Sequence, residues 1–288
     1  MAEPHWFYQL KEIHWLASFP KSGSTWLRML FHAHQHDGYV NINSNERTTF
    51  SDSLRWAYMF HPLPIERISL DIFPYLRVPA LINMFVSRSG APFVMKTHCA
   101  NVNIHETRLI PMDMTKSAVY LIRDPRDVVV SYANHFKSDI DRTIEMISNI
   151  AFTLGIKPED RESEVPQYPT TWSLNVKSWT ESKLWSKYKI EEPLVIRYED
   201  LLTDTVGIFK KVLDRWGVEH RDPEGAVEAC RISKLREQEK KNGFIEGKEG
   251  STFFNRGESG AWKDVLTKAQ EAEIIKHHSE MMEKWGYI

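Results

Sequence analysis

Cysteine is scarce in this 288-residue chain: Cys99 and Cys230 are its only two, far apart and outside any metal-ligand spacing. That excludes a disulfide framework and points to a reducing compartment. Long apolar runs are missing as well. No stretch reaches the roughly 18 uncharged apolar residues of a membrane span. The N-terminal MAEPHWFYQLKEIHW carries no basic segment followed by a long apolar one, so no secretory leader is expected. The expectation is a cytoplasmic protein without a membrane span. Nor is there an excess of one charge. The formal net charge is −2, which gives no basic field for nucleic acid, so any polyanion site must be local.

What is present suits a globular α/β chain. Hydrophobic residues make up 42% and charged residues 26%, enough for a sizeable core in one large domain, 1–288. Short apolar runs read as strands at 13–19, 92–98, 117–123 and 193–199. Helical patterns follow at 24–34, 171–188, 199–217 and 267–286, the last two closing at glycines. Asp124 before Pro125 is an N-cap and first-turn signal, so a helix is expected through RDVVVSYANHF. Strands alternating with helices predict a single P-loop-like domain with a central, mostly parallel sheet flanked by helices. Residues 37–91, rich in aromatics and prolines, read as an insertion. The polar 155–170 stretch reads as a flexible loop, and both are expected to shape a pocket.

The stretch SFPKSGSTWLR, residues 18–28, joins the first strand to the first helix. Ligands of open α/β sheets bind at such junctions, where helix N-termini point free N–H groups outward. Gly23 lets the backbone approach an anion, and the N–H groups of Gly23 to Trp26 would line it. Ser22, Ser24 and Thr25 add hydroxyls, and Lys21 adds a positive charge. The common ATP and GTP loop, G-x-x-x-x-G-K-[ST], is absent, because here the lysine precedes the only glycine. Taken alone, these residues suit an ordinary turn capped by Ser24 better than an anion site.

Three further stretches add to it: VMKTH (94–98), YLIRDPRDVVVSYANHF (120–136) and FFNRGESGAWKDVLT (253–267). In order and spacing, with RYEDLL (197–202) between, they resemble the cytosolic sulfotransferases from about residue 13 to 268. The resemblance implies a co-substrate, 3′-phosphoadenosine-5′-phosphosulfate (PAPS), and transfer of its sulfuryl group to a hydroxyl or amine without a metal. It implies that His98 is the general base and that Lys21 and Lys96 stabilise the departing 5′-phosphate oxygen. The 5′-phosphate would lie on Lys21 to Trp26. Arg123, Ser131, Asn255, Arg256 and Gly257 would hold the 3′-phosphate, with Trp26 and Tyr198 near adenine. The residue types suit such chemistry, since arginine gives a forked donor set for phosphate and imidazole accepts a proton near neutral pH.

The chain departs from the family pattern in places. Asn255 stands where a cation is usual, and Ile232 where an aromatic near adenine is usual. Lys268 and Ala272 break the common C-terminal dimerisation motif, so a monomer or a different dimer is expected. Asn175 stands where histidine is frequent. His32, His34 and His36 lack the glutamate and companions of a metal site and read as structural. His277 and His278 read as exposed, and REQEKK (236–241) as a solvated helix face. The aromatics Trp56, Tyr58, Phe60, Phe73, Tyr75 and Phe85 point to a partly apolar small-molecule acceptor. A small-molecule kinase and a non-catalytic nucleotide-binding protein are the competing readings. The kinase would want a magnesium-binding acid and a glycine-rich loop, neither of which is clear. The non-catalytic protein would lack the base, yet His98 is present.

Overall fold

Residues 13–18 are buried at all six positions, as a central strand covered on both faces must be. In this computed structural model they form β1 (Ile13–Ser18). The structure describes residues 12–43, 48–53, 68–86, 92–155, 165–247, 252–254 and 257–288. After β1 come α1 (Ser24–Gln35), β2 (Thr49–Ser51), α2 (Phe73–Val86), β3 (Phe93–Thr97), the hairpin β4 (Asn103–Ile104) and β5 (Thr107–Arg108), and β6 (Thr115–Ile122). Next are α3 (Pro125–Phe136), α4 (Ile140–Ile147), α5 (Trp172–Thr180), α6 (Leu184–Lys187) and β7 (Leu194–Arg197). The remaining helices are α7 (Tyr198–Thr203), α8 (Thr205–Trp216), α9 (Pro223–Ala229), α10 (Ile232–Asn242) and α11 (Lys268–Lys284).

The main sheet runs β2-β3-β1-β6-β7, and every pairing in it is parallel. The two-residue period of a strand sorts its side chains between two cores. Trp15, Ala17, Phe93, Met95, Tyr120 and Ile122 pack toward α3, α5 and α11. Leu16, Val94, Val119, Leu121 and Ile196 pack toward α1 and α8. The α/β class with a central parallel sheet is therefore as expected.

Several local expectations differ. The 171–188 helix is two, α5 and α6: Trp185 turns inward to donate its Nε1–H to the Trp179 carbonyl at 2.9 Å, which breaks the run. The 199–217 helix divides at Asp204, whose carboxylate accepts the Gly207 N–H at 2.9 Å and starts α8 as its N-cap. Gly217 ends α8 in the left-handed region, as read. The 37–91 stretch is not irregular throughout, since it supplies β2 and α2. Its Phe73 and Phe85 pack into the core and Tyr75 lies half exposed, donating to the His105 carbonyl; Trp56, Tyr58 and Phe60 lie outside the described residues. Of the 155–170 loop, residues 165–170 are buried, with Gln167 bridged to Leu154 across two backbone hydrogen bonds. Residues 156–164 lie outside the described ones. His278 is buried, not exposed, because Ser173 and Ser148 satisfy its two ring nitrogens at 3.0 and 3.3 Å.

Candidate functional site

Four parallel strands deliver a sequence-selected residue at their carboxyl ends. Lys21 follows β1, His98 follows β3, Arg123 follows β6 and Tyr198 follows β7. One cavity of about 1760 Å³ collects them, and Gly23, Ser24, Thr25, Trp26, Lys96, Ser131 and Gly257 line it too. Asn255 and Arg256 lie outside the described residues. Ser22 departs from expectation: its side chain is fully buried, its Oγ has no partner among the described residues, and it does not line the cavity.

The loop after β1 is shaped by two left-handed residues, Lys21 at φ 67° and Gly23 at φ 101°. Gly23 is required for space as well as conformation. A Cβ there would lie 2.6 Å from Cδ2 of Tyr198, so the ring packs directly on the loop. Gly23 caps α1 without a side-chain hydrogen bond, and no acidic residue sits in the first turn. The helix therefore presents unneutralised N–H groups and the positive end of its dipole to the cavity. Lys21 Nζ lies 4.1 Å from the centroid of the Phe253 ring. Burial, helped by the charges of Arg123 and Lys96 and opposed by Glu246 and Glu239, lowers its pKa to about 7.

His98 is buried and held from three directions. Its Nδ1–H donates to the Ser18 carbonyl at 2.8 Å. A carbonyl only accepts, so Nδ1 carries the proton and Nε2 of the neutral ring keeps its lone pair. The His98 N–H donates to Gln167 Oε1 at 3.1 Å, and its carbonyl accepts from Asn175 Nδ2 at 3.0 Å. Asn175 in turn accepts from the Tyr120 hydroxyl at 2.8 Å. Burial, reinforced by Lys96, keeps the imidazole pKa well below its ordinary value despite the Ser18 contact, so the ring is neutral at pH 7.

Arg123 joins the two loops that flank the cavity. Nη1 donates to the Lys21 carbonyl and Nη2 to the Glu258 carbonyl, each at 3.1 Å. The guanidinium stacks 4.4 Å from the Tyr198 ring centroid, and its buried Nε has no partner among the described residues. Trp26 meets Tyr198 edge to face at 6.3 Å and is pinned by its Nε1–H on the Cys230 carbonyl. Gly257 packs on Ile232, where a Cβ would come within 2.7 Å.

Sequence reasoning missed the residues that carry these groups. Asp127 accepts the Gly260 and Trp262 N–H groups at 2.7 and 3.1 Å, tying the C-terminal loop to α3. Glu239 accepts those of Phe253 and Phe254 at 2.6 and 2.9 Å. REQEKK is thus only partly a solvated face, because Gln238 and Glu239 are half buried. Arg28, one face of α1, reaches Glu246 at 2.7 Å. Of the α1 histidines, His34 donates Nε2–H to the Glu219 carbonyl, and the His32 and His36 rings lie tilted to each other with centroids 4.4 Å apart. Among the described residues, no helix is long and apolar enough to cross a membrane, and no cluster of three or more His, Cys, Asp or Glu groups is arranged for a metal ion.

An uncapped helix N-terminus, a lysine and an arginine around one cavity are the kind of donor set that suits a phosphate group in an α/β protein. A family model described as Sulfotransferase domain matches residues 12–286, and the chain belongs to that family. It is 26% identical to cytosolic sulfotransferase 13 of Arabidopsis thaliana over 277 residues, 93% of this chain and 76% of that relative. Sulfotransferase 2A6 of Rattus norvegicus is 24% identical over 277 residues, with 93% and 83% covered. Among solved structures, the chain is similar to retinol dehydratase in complex with retinol and PAP, with TM-score 0.60, 20% identity, and 96% and 83% covered. A mouse sulfotransferase complexed with PAP gives TM-score 0.57, 18% identity, and 94% and 84% covered. These two likenesses bear on the fold.

Proposed function

We propose that this chain transfers the sulfuryl group of PAPS to a hydroxyl or amine of a small acceptor, with His98 as general base. The observation that carries the reading is the buried His98 whose Nδ1–H is committed to Ser18, beside an uncapped phosphate loop in the same cavity. Family membership and the PAP named in the two solved structures support PAPS as co-substrate, and the cytosolic names of the relatives support a cytoplasmic protein.

The donor set fits a nucleotide with phosphates at both 5′ and 3′ positions. The loop N–H groups, Lys21, Ser24 and Thr25 would hold the 5′ end. The unpartnered Arg123 Nε and Ser131, with Arg256 and Gly257, would hold the 3′-phosphate, and Trp26 and Tyr198 would flank adenine. In the transfer, His98 Nε2 takes the acceptor's proton as the acceptor oxygen bonds to sulfur. The bond from sulfur to the 5′-phosphate oxygen breaks in line, and Lys21 meets the charge growing on that oxygen, with Lys96 in support. A preorganised cation aimed at the leaving oxygen is the largest electrostatic contribution available here. Neither a metal nor a covalent enzyme intermediate is needed.

Two measurements test this. In a thermal-shift series, 3′,5′-adenosine bisphosphate (PAP) should stabilise the protein and ADP with magnesium should not; the reverse pattern would favour a kinase. His98→Ala should retain PAP affinity and lose about 10²- to 10⁴-fold in transfer of a labelled sulfuryl group. Undiminished transfer by that variant removes His98 from the role.

A further inference from the structure

The cavity has a polar wall next to the donor loop, in addition to the partly apolar acceptor surface expected from composition. On the α1 side of the sheet, β3 changes character toward its carboxyl end. Val94 packs into the core, and Lys96, two residues on, reaches the cavity. β2 runs alongside with Thr49 in register with Val94 and Ser51 in register with Lys96. Both β2 residues line the cavity. Arg28 of α1 packs directly on this strand: it donates its Nε–H to Thr49 Oγ1 at 3.0 Å and pairs through Nη1 with Glu246 at 2.7 Å. The second Glu246 oxygen accepts from the Thr25 hydroxyl at 3.2 Å. Arg28 keeps 19% and Glu246 38% of its side chain exposed, so the pair is open to the cavity and not sealed in the core. Ser51 pairs with Lys96, two residues before His98, and all three line the same cavity, so this wall adjoins the base.

Phe73 and Phe85, two aromatics of the 37–91 insertion, are spent in the core and Tyr75 faces away from the cavity. A flat apolar molecule seated against Arg28, Glu246, Thr49 and Ser51 would strip their water and return no hydrogen bonds. Sites built from such groups select strongly for ligands that replace those bonds. A guanidinium fork beside a carboxylate presents donors and acceptors together, which suits vicinal hydroxyls.

We infer that the acceptor is a polyhydroxylated, carbohydrate-like molecule whose hydroxyls are read by the Arg28–Glu246 pair with Thr49 and Ser51. This rests on the sulfotransfer reading above. Arg28 and Glu246 are specificity determinants here, and Glu246 also holds Thr25, one of the groups assigned to the donor.

The test uses the full chain with PAPS labelled in its sulfuryl group and three acceptor panels: free hexoses, amino sugars and cyclitols; simple phenols; and sterol alcohols. The expected result is a kcat/KM for the best polyhydroxylated acceptor at least tenfold above the best phenol or sterol. Arg28→Ala and Glu246→Gln should each raise KM for that acceptor about tenfold; Arg28→Ala should change PAP Kd less than threefold, while Glu246→Gln, whose side chain holds Thr25 of the donor loop, is read by KM. Glu246→Gln is nearly isosteric at a part-exposed position and keeps the test valid should Arg28→Ala fold poorly. A phenol or sterol preferred over every sugar, no turnover of the polyhydroxylated panel by a protein that PAP still stabilises, or an unchanged KM in both variants overturns the inference. Failure of PAP to stabilise the protein sinks the donor reading itself, and this inference with it.

Discussion

Two strand-to-helix junctions sit side by side on one edge of the sheet and are built in opposite ways. At the β6–α3 junction, Asp124 caps its own helix by accepting the Arg126 N–H at 2.9 Å, and Asp127 adds a second carboxylate in the first turn. Arg126 closes on Asp124 at 2.8 Å, on Glu271 at 2.9 Å and on the Tyr287 carbonyl at 2.6 Å. At the β1–α1 junction there is no side-chain cap and no acid in the first turn. The first junction satisfies its donors internally and fastens the C-terminal segment. The second holds its donors in reserve, and a reserve of N–H groups has value only to an anion from outside. Binding capacity at a sheet edge is thus set by what the first turn withholds as much as by what it contains.

The contrast can be broken in order of expected effect. Lys21→Ala removes the mobile cation of the open junction and should cost about 10²- to 10³-fold in sulfuryl transfer, the scale of losing one preorganised charge. Single-turnover rates at saturating PAPS check this. Thr25→Asp copies the acidic first turn of α3 onto α1. It should weaken PAP about 100-fold by calorimetry, since like charges near 4 Å repel by a few kcal/mol even in a moderately polar site. The helix dipole favours the new acid, but the substitution also replaces the hydroxyl that Glu246 accepts from with a like charge, so the variant should melt slightly below the parent. Unchanged PAP affinity would mean the α1 N-terminus is not the anion site. Asp124→Ala strips the cap and partner of Arg126 and should cost about 2 kcal/mol in denaturant unfolding, with PAP affinity little altered.

The smallest effect is a proton. Lys21 in the free protein has its pKa lowered to about 7 from 10.5, so at pH 8 it is mostly neutral there. An anion bound beside it favours the charged form, and PAP binding at pH 8 should take up close to one proton. Calorimetry in two buffers of different ionisation enthalpy reads this directly. Between pH 7 and 10.5 the unfolded chain holds a proton at this lysine that the native one lacks. The group's contribution therefore makes ligand-free stability rise with pH across that window.

The open junction was legible because its signal is local: a strand, a short loop with lysine and glycine, and a helix within a dozen residues. The Asp124–Pro125 helix start was equally plain. What stayed hidden depends on contacts between distant segments. Nothing around Asn175 announces that it holds the His98 carbonyl 77 positions away. Arg28 and Glu246 are 218 apart, and each alone reads as an exposed helix or loop charge. Phe73 and Phe85 of the 37–91 insertion turn into the core, which composition alone does not tell, since it does not say which way a ring turns. Helix breaks at Asp204 and before Trp185 were invisible to periodicity, since the apolar spacing continues through both while a carboxylate cap or an indole N–H redirects the backbone.

The Ser18 carbonyl that fixes the His98 tautomer belongs to the last residue of β1, three before Lys21. One peptide unit is therefore the common datum from which two moving parts are gauged, the imidazole lone pair and the lysine-bearing loop. A sheet strand anchored on both sides by parallel neighbours gives that datum the stiffness of the core.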